Sequence, residues 1–345
     1  MKKLCLLLIG GFGVLTVMAQ SSDRQPFMTK TFSRAGVKAI EVETSGGNIS
    51  VEGTASGDAR VEVYISGDGR HEASKEEIQK MLDQQYDLEV AMEGNKLVAV
   101  AKQKSGWSNM WRRGLSISFR VFSPEAVGSH VRTSGGNISM RNLSGAQDFR
   151  TSGGNLDVEH LTGAIIGRTS GGNVSISDSR DDIDLETSGG SMNATRCEGK
   201  IDLETSGGNV SLKSVKGTIH ARTSGGTVEG GKIDGELQAH TSGGNIDLDD
   251  VAASLQASTS GGSIHVEFLS TGKYVNLSNS GGDISLQLPQ GQGVDLRISA
   301  DRIHTSSMGN FRGDLDEHHM NGTLNGGGTP VKVDGGGGSV HLSFK

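Results

Sequence analysis

The 345-residue chain has only two cysteines, Cys5 and Cys197. Cys5 lies in an N-terminal stretch with the features of a signal peptide, so export would leave Cys197 alone. A lone cysteine excludes an internal disulfide, and the exported chain must be stabilised by packing and backbone pairing instead. Cys197 occupies an apolar position of the repeat described below, which favours a buried core thiol over a reactive one.

Aromatic residues and positive charge are also scarce. Phe, Trp and Tyr make up 4% of the chain, and its formal net charge is −7 at pH 7. Removal of a signal peptide that carries Lys2 and Lys3 would bring this charge to −9. Binding to nucleic acid needs a basic face, so we expect no nucleic-acid partner.

The one marked apolar run stands at the N-terminus and is too short to span a membrane. Lys2 and Lys3 precede this run, which extends from Leu6 to Val17, and small residues up to Ala19 form a cleavage site. We therefore predict a signal peptide over residues 1–19. The mature chain would be exported to the periplasm, the outer surface or the medium, with no transmembrane segment.

Glycine is abundant, with 53 residues, and much of it belongs to one repeated phrase, Thr-Ser-Gly-Gly. An outlying copy begins at Thr44, and a near copy begins at Asn279 after a two-residue insertion. A fixed period of about 20 residues is typical of stacked-repeat proteins. The regular copies follow one another at intervals of 18 residues, beginning at Thr133, Thr151, Thr169, Thr187, Thr205, Thr223, Thr241 and Thr259.

Within each unit, apolar residues alternate with polar ones. With the Thr as position 1, positions 6, 8, 15 and 17 are apolar in nearly every unit. This period of two predicts two short strands with one buried face, which stacking of successive units would bury. Ser-Gly-Gly predicts a corner, because a sharp turn needs a positive φ that glycine adopts freely. The sequence therefore predicts an all-β protein, a right-handed parallel β-solenoid (β-helix) whose nine stacked units span roughly 40 Å.

Stacking would place equivalent residues above one another. The Thr hydroxyls would face inward and must bond along their column or to the backbone. A phosphate-binding loop is poorly supported, because no Lys follows the glycines and no helix opens after them. The Asn residues that follow the glycines are expected to form an amide ladder, and they are Asn137, Asn155, Asn173, Asn209 and Asn245.

Three regions follow from these patterns: the signal peptide, a first coil with a cap over 30–132, and repeats with an irregular closing segment over 133–345. Ser74 and Glu77 form a capping-box pattern that predicts a helix over about 74–86. Strands are predicted over about 60–66, 87–92, 95–102 and 115–122. This α+β insertion would cap the stack, since an open end exposes unpaired strand edges. At the other end we expect the chain to close with one last coil.

Two clusters are candidates for binding. Trp107 and Trp111, beside Arg112 and Arg113, could stack on a sugar ring or rest on a lipid surface, or could pack on the cap. A group of acids on outward positions could hold Ca²⁺ or supply a retaining glycosidase pair. Arg168 and Arg222 would instead make that acidic face an ion-paired one. The acids are Asp182, Asp184, Glu186, Asp202 and Glu204.

A third, weaker candidate is the polar segment near the C-terminus. His318 and His319 stand beside Asp316 and Glu317, a combination that could bind a transition metal. Adjacent histidines and acids on a loop are more often solvated, which is the interpretation that we favour.

The predicted signal peptide, the repeats, the early insertion and the closing segment Leu324-Asn-Gly-Gly-Gly328 resemble the bacterial putative-adhesin domain family over residues 30–345. The resemblance implies a secreted or envelope β-solenoid that acts in adhesion, with a cell-surface glycan or envelope protein as partner. It implies no cofactor and transfers no binding residue. The alternative is a carbohydrate-active β-helix enzyme or a glycan-binding module, which would use the acids at 182–204 or the Trp107/Trp111 loop.

Overall fold

The computed structural model describes residues 25–67, 74–104 and 114–345. In these residues the chain is nearly all β-strand, with one α-helix and a short 3-10 helix at Arg34–Gly36. The all-β prediction is confirmed. The first part contains β1 (Met28–Phe32), β2 (Ala39–Glu43), β3 (Ile49–Thr54), β4 (Ala59–Gly67), α1 (Lys75–Gln85), β5 (Tyr86–Glu93), β6 (Lys96–Gln103) and β7 (Leu115–Pro124).

The remaining strands belong to the repeats and the closing segment. The repeats contain β8 (Gly128–Arg132), β9 (Ile138–Ser144), β10 (Gln147–Arg150), β11 (Leu156–Thr169), β12 (Val174–Ser177), β13 (Arg180–Thr187), β14 (Met192–Thr195), β15 (Glu198–Thr205), β16 (Val210–Arg222), β17 (Val228–His240), β18 (Ile246–Thr259) and β19 (Ile264–Asn279). The closing segment contains β20 (Ile284–Leu288), β21 (Val294–Ser299), β22 (Arg302–Thr305), β23 (Phe311–Leu315), β24 (His319–Leu324), β25 (Thr329–Asp334) and β26 (Ser339–Phe344).

Successive 18-residue units, which we call rungs, pair in parallel and in register. Between β13 and β15, for example, Ile183 lies opposite Ile201 and Thr187 lies opposite Thr205. The same offset relates β16 to β17 and β17 to β18. The apolar positions of all these rungs join one continuous buried core. Each two-stranded rung is thus stabilised by the backbone pairing and apolar contacts of its neighbours.

The Thr side chain of each rung makes a bond to the rung before it. Thr205 Oγ1 donates to the Gly190 carbonyl at 2.8 Å and accepts from the N–H of Gly208. The same pair of bonds recurs from Thr133 to Thr259. Where Asn279 replaces the Thr, its Nδ2 donates to the Gly262 carbonyl at 2.7 Å, which preserves the contact between rungs.

The second glycine of each corner is required by close backbone contact. A Cβ on Gly190 would lie 2.0 Å from the Gly172 carbonyl oxygen, a distance that no side chain can occupy. In the eight regular copies, which all lie in the described part, neither glycine has a left-handed φ. The predicted reason for this corner was therefore wrong. Left-handed φ values occur instead further along the unit, as at Gly199 and Gly217.

The Asn column bonds to the backbone and forms no amide ladder, which corrects that prediction. Asn137 Oδ1 accepts the backbone N–H of Asn155 at 2.8 Å, and Asn155 Oδ1 accepts that of Asn173. Where Ser191 replaces Asn, its shorter side chain still accepts the Asn209 N–H, at 3.2 Å. The side chains are thereby used to satisfy amides that the corner leaves free.

At the N-terminal end, the first coil is covered by the inserted segment. Strands β2 and β3 lie in parallel on β8 and β9, and β6 and β7 lie in parallel on β2 and β3. Antiparallel β5, β4 and β1 finish this end. The helix α1 has Ser74 as its N-cap, and both bonds of the capping box with Glu77 are present. The inserted strands therefore cover backbone edges that the first coil would otherwise expose.

The C-terminal end repeats this arrangement. Strands β25 and β26 pair with β19 and β20 on one side and with β21 and β22 on the other. Antiparallel β24 and β23 follow β21. The last coil of the sequence is therefore an inner layer, and the expectation that it closes the stack was wrong. The β23–β24 hairpin covers one edge of the stack that a terminal coil would leave unpaired.

The two glycines of one corner provide a matched pair of substitutions. We expect Gly190→Ala to lower the free energy of unfolding by about 3 kcal/mol or more, because its methyl group collides with the backbone of the preceding rung. Gly189→Ala places its Cβ 3.6 Å from the nearest atom and should change stability by less than about 1 kcal/mol. Urea denaturation measures both. Equal effects would contradict the close-contact explanation.

The Thr hydroxyl can be removed without changing side-chain shape. Thr205→Val should cost about 2 kcal/mol of stability, because the buried N–H of Gly208 and the Gly190 carbonyl each lose a partner. Thr205→Ser keeps the hydroxyl and should cost no more than about 1 kcal/mol, the loss of one buried methyl. Thermal unfolding of both variants checks the order. A Val variant as stable as the Ser variant would show that the hydroxyl is dispensable.

Candidate functional site

The five predicted acids come together on β13 and β15, and we keep the name acidic face for them. The in-register pairing places Asp184 beside Asp202 and Glu186 beside Glu204. Arg168, on β11, lies opposite Glu186 in the preceding rung. The sequence therefore placed these side chains on one surface correctly.

Basic side chains lie next to most of the acidic face. Arg168 Nη2 is 2.6 Å from Asp184 Oδ2, and its Nε is 2.9 Å from a Glu186 oxygen. Lys200 Nζ lies 3.8 Å from Asp182, and His220 Nδ1 lies 3.6 Å from Asp202. These contacts are those of the ion-paired alternative, and a cation at Asp184 would have to displace the Arg168 guanidinium. Binding of Ca²⁺ at the acidic face stays a prediction.

Arg168 is the best-anchored member of this network. Partial burial disfavours its charged form, but the bond to Asp184 and the charges of Asp184 and Glu186 outweigh that effect and raise the pKa of Arg168. Its Nη1 also donates to the Asp184 carbonyl at 2.9 Å. The guanidinium therefore ties β11 to β13 through backbone and side chain together.

A groove runs across several rungs beside the acidic face. It has a volume of about 470 Å³, and we call it the arginine–serine groove. Its walls repeat because position 18 is Arg and position 2 is Ser in three successive rungs. These residues are Arg132, Arg150, Arg168, Ser134, Ser152 and Ser170.

Charge in this groove is only partly compensated. Asp148 is shared by Arg132, at 3.4 Å, and Arg150, at 3.2 Å. Glu43 also lines the groove, but it lies 3.0 Å from Lys102. Two guanidiniums that share one carboxylate keep N–H groups free for a ligand, since each carries five donors. The sequence analysis missed this column, although Arg at three consecutive 18-residue intervals was visible.

The other candidates from the sequence have different outcomes. Trp107, Trp111, Arg112 and Arg113 lie outside the described residues, as does the predicted signal peptide, so their roles stay predictions. Cys197 is buried, and this burial raises the pKa of its thiol, which fits a core role.

The acid beside the two histidines has a structural use. Asp316 Oδ1 accepts the backbone N–H groups of His318 and His319 at 2.8 and 2.7 Å. These bonds lower the pKa of Asp316. The carboxylate thus stabilises a turn, as Asp side chains commonly do, and this explains its position without a metal.

Comparisons with known proteins add little to this description. No family model matches the chain, and no curated protein matches it. One matching solved structure is a crystal structure of a "putative cell adhesion protein" from Clostridium sporogenes ATCC 15579. It is 11% identical, and the match covers 92% of this chain and 98% of that chain with a TM-score of 0.20, too low to support an argument. Within the described ranges, no helix has the length and apolar character needed to cross a membrane.

The Arg168–Asp184 pair can be tested by a double-mutant cycle. With Arg168→Gln and Asp184→Asn, we expect a coupling of about 0.5–1 kcal/mol in the free energy of unfolding. The Lys200–Asp182 pair, which is more exposed and 3.8 Å apart, is the control and should couple by less than about 0.3 kcal/mol. Urea denaturation at low salt measures both cycles. Coupling that is equal or reversed in order would contradict the assignment of Arg168 as the anchor.

Proposed function

We propose that this chain is an exported, non-catalytic, right-handed parallel β-solenoid of the adhesin type. Its function would be to bind a polymer at the cell surface or in the envelope. The in-register parallel pairing at intervals of 18 residues supports the solenoid. The N-terminal sequence and the family resemblance of the repeats support export and adhesion.

The observation that carries the proposal is the arginine–serine groove. The same guanidinium and hydroxyl groups recur there at every rung, from Arg132 to Arg168. Adjacent strands lie about 4.8 Å apart, so the groove offers equivalent donors at that spacing. A ligand with a regular repeat can make the same contact several times, which multiplies weak individual interactions.

The donors in the groove indicate the kind of polymer. Guanidinium groups bind carboxylates and other oxyanions in a bidentate manner, and Ser hydroxyls bond readily to sugar hydroxyls. We therefore propose an acidic polysaccharide, one that carries carboxylate or sulfate groups. The ion pair between Arg168 and Asp184 supports a binding role for this surface over the glycosidase alternative, because it engages one of the two acids that a hydrolase would need free.

The test is binding of the mature protein, residues 20–345, to immobilised acidic and neutral polysaccharides. We expect acidic polymers to bind, and Arg132→Gln/Arg150→Gln to weaken binding by at least about 10-fold, because charged hydrogen bonds are lost. Arg141→Gln/Arg196→Gln removes the same charge from arginines outside the groove and should leave affinity nearly unchanged. Thermal unfolding of both variants confirms that they fold.

Two results would overturn the proposal. One is an absence of binding to every polymer in the panel, or equal loss in the two arginine variants. The other is shortening of a polysaccharide by the wild-type protein that Asp184→Asn/Asp202→Asn abolishes. That second result would establish the enzyme alternative.

A further inference from the structure

A cluster of potential metal ligands lies on β18 and β19, away from the arginine–serine groove. Asp249, His265 and Glu267 each offer one ligand atom, and these three atoms all lie within 4.8 Å of one another. We propose that they form a binding site for a divalent transition metal ion of the zinc class. The site goes beyond the proposed function and does not depend on it.

The stacking of the rungs produces this geometry. Asp249 and Glu267 each follow directly after the paired core residues Leu248 and Val266, so they emerge side by side from adjacent rungs. His265 lies two residues before Glu267, on the same outward side of β19. His265 Nε2 is 3.7 Å from Glu267 Oε1 and 4.0 Å from Asp249 Oδ1.

These separations are close to those of a bound metal. Ligands at about 2.0–2.1 Å from a tetrahedral zinc ion lie about 3.3 Å from one another. Each side chain would therefore move by only a few tenths of an ångström to coordinate the ion. All three are partly exposed, so such rotations are sterically free and the ion can enter from solvent.

A neighbouring side chain already orients one of the ligands. Gln287 Nε2 donates to Glu267 Oε2 at 3.3 Å, and Lys345 Nζ lies 3.8 Å from the same oxygen. The other oxygen, Oε1, is the one that faces His265. Outer-shell contacts of this kind fix a ligating carboxylate and strengthen metal binding.

The local charge also favours a cation. Asp247 lies opposite His265 across the β18–β19 pairing, and Glu229 lies opposite Asp247 one rung further away. Four carboxylates thus surround one imidazole, with Lys345 as the nearest basic side chain among the printed ion pairs of these residues. The acidic face differs, because Arg168 there already fills the position of a cation between Asp184 and Glu186.

The imidazole decides the class of metal. Ca²⁺ and Mg²⁺ prefer sites made only of oxygen ligands, whereas zinc and related ions combine imidazole with carboxylate. Three protein ligands would leave a fourth position for water or for a group from a partner. A metal bound here would also link two rungs and stabilise the stack.

The experiment is calorimetric titration of ZnCl₂ into the metal-free mature protein at pH 7.5. We expect one saturable site per chain. Asp249→Asn and His265→Gln should each weaken zinc binding by about 10-fold or more, and Gln287→Leu by about 10-fold. Excess zinc should raise the Tm of the wild-type protein and not that of His265→Gln.

The matched controls are Asp202→Asn and His220→Gln, since that exposed pair lies 3.6 Å apart but is an ion-paired ladder contact. Zinc affinity should be unchanged in both. The proposal fails if no saturable binding occurs, if the controls weaken binding as much as the site variants, or if millimolar Ca²⁺ displaces the zinc. Each variant's Tm without metal establishes that it is folded.

Discussion

The hydrogen bond from each Thr hydroxyl to a Gly carbonyl of the preceding rung is the contact on which the stack depends. It is buried, it recurs at nearly constant length, and the same hydroxyl accepts an N–H within its own corner. Because the second glycine lies against the backbone of the rung before it, a side chain there would force the rungs apart. The phrase Thr-Ser-Gly-Gly is therefore constrained at both ends: by the bond that the Thr makes and by the space that the last Gly leaves.

This constraint explains how the outer surface acquires its regularity. Once the corners are fixed, strands 18 residues apart pair in register, and outward side chains form columns. A column of Arg, as at 132, 150 and 168, forms one side of a groove, and an alternation of acids and Arg becomes a set of ion pairs. The groove that we propose for polymer binding and the zinc-class site both arise from residues on neighbouring rungs, and no single rung could build either.

Much of this organisation could be predicted from the sequence, because the period of 18 and the alternation of apolar residues act locally. They gave the strands, the inward side of Thr205 and Cys197, and the grouping of Asp184 with Asp202. The function of the corner glycines could not be predicted, since their close contact involves a residue on another rung. The position of β25 and β26 inside the stack depends on long-range pairing that no local pattern records. His265 was missed because its partner acids stand at positions where the repeat has no fixed residue.

The account rests on whole rungs being the units of stability, and deletion of part of the repeat tests this most directly. Removal of residues 205–222, one complete unit, should leave a protein that unfolds cooperatively in urea with a midpoint close to that of the wild type, since Thr187 and Thr223 keep their registers. Removal of residues 205–213, half a unit, should abolish that transition, because the strands that follow lose their register with the rung before. A half-unit deletion as stable as the full-unit deletion would contradict the account.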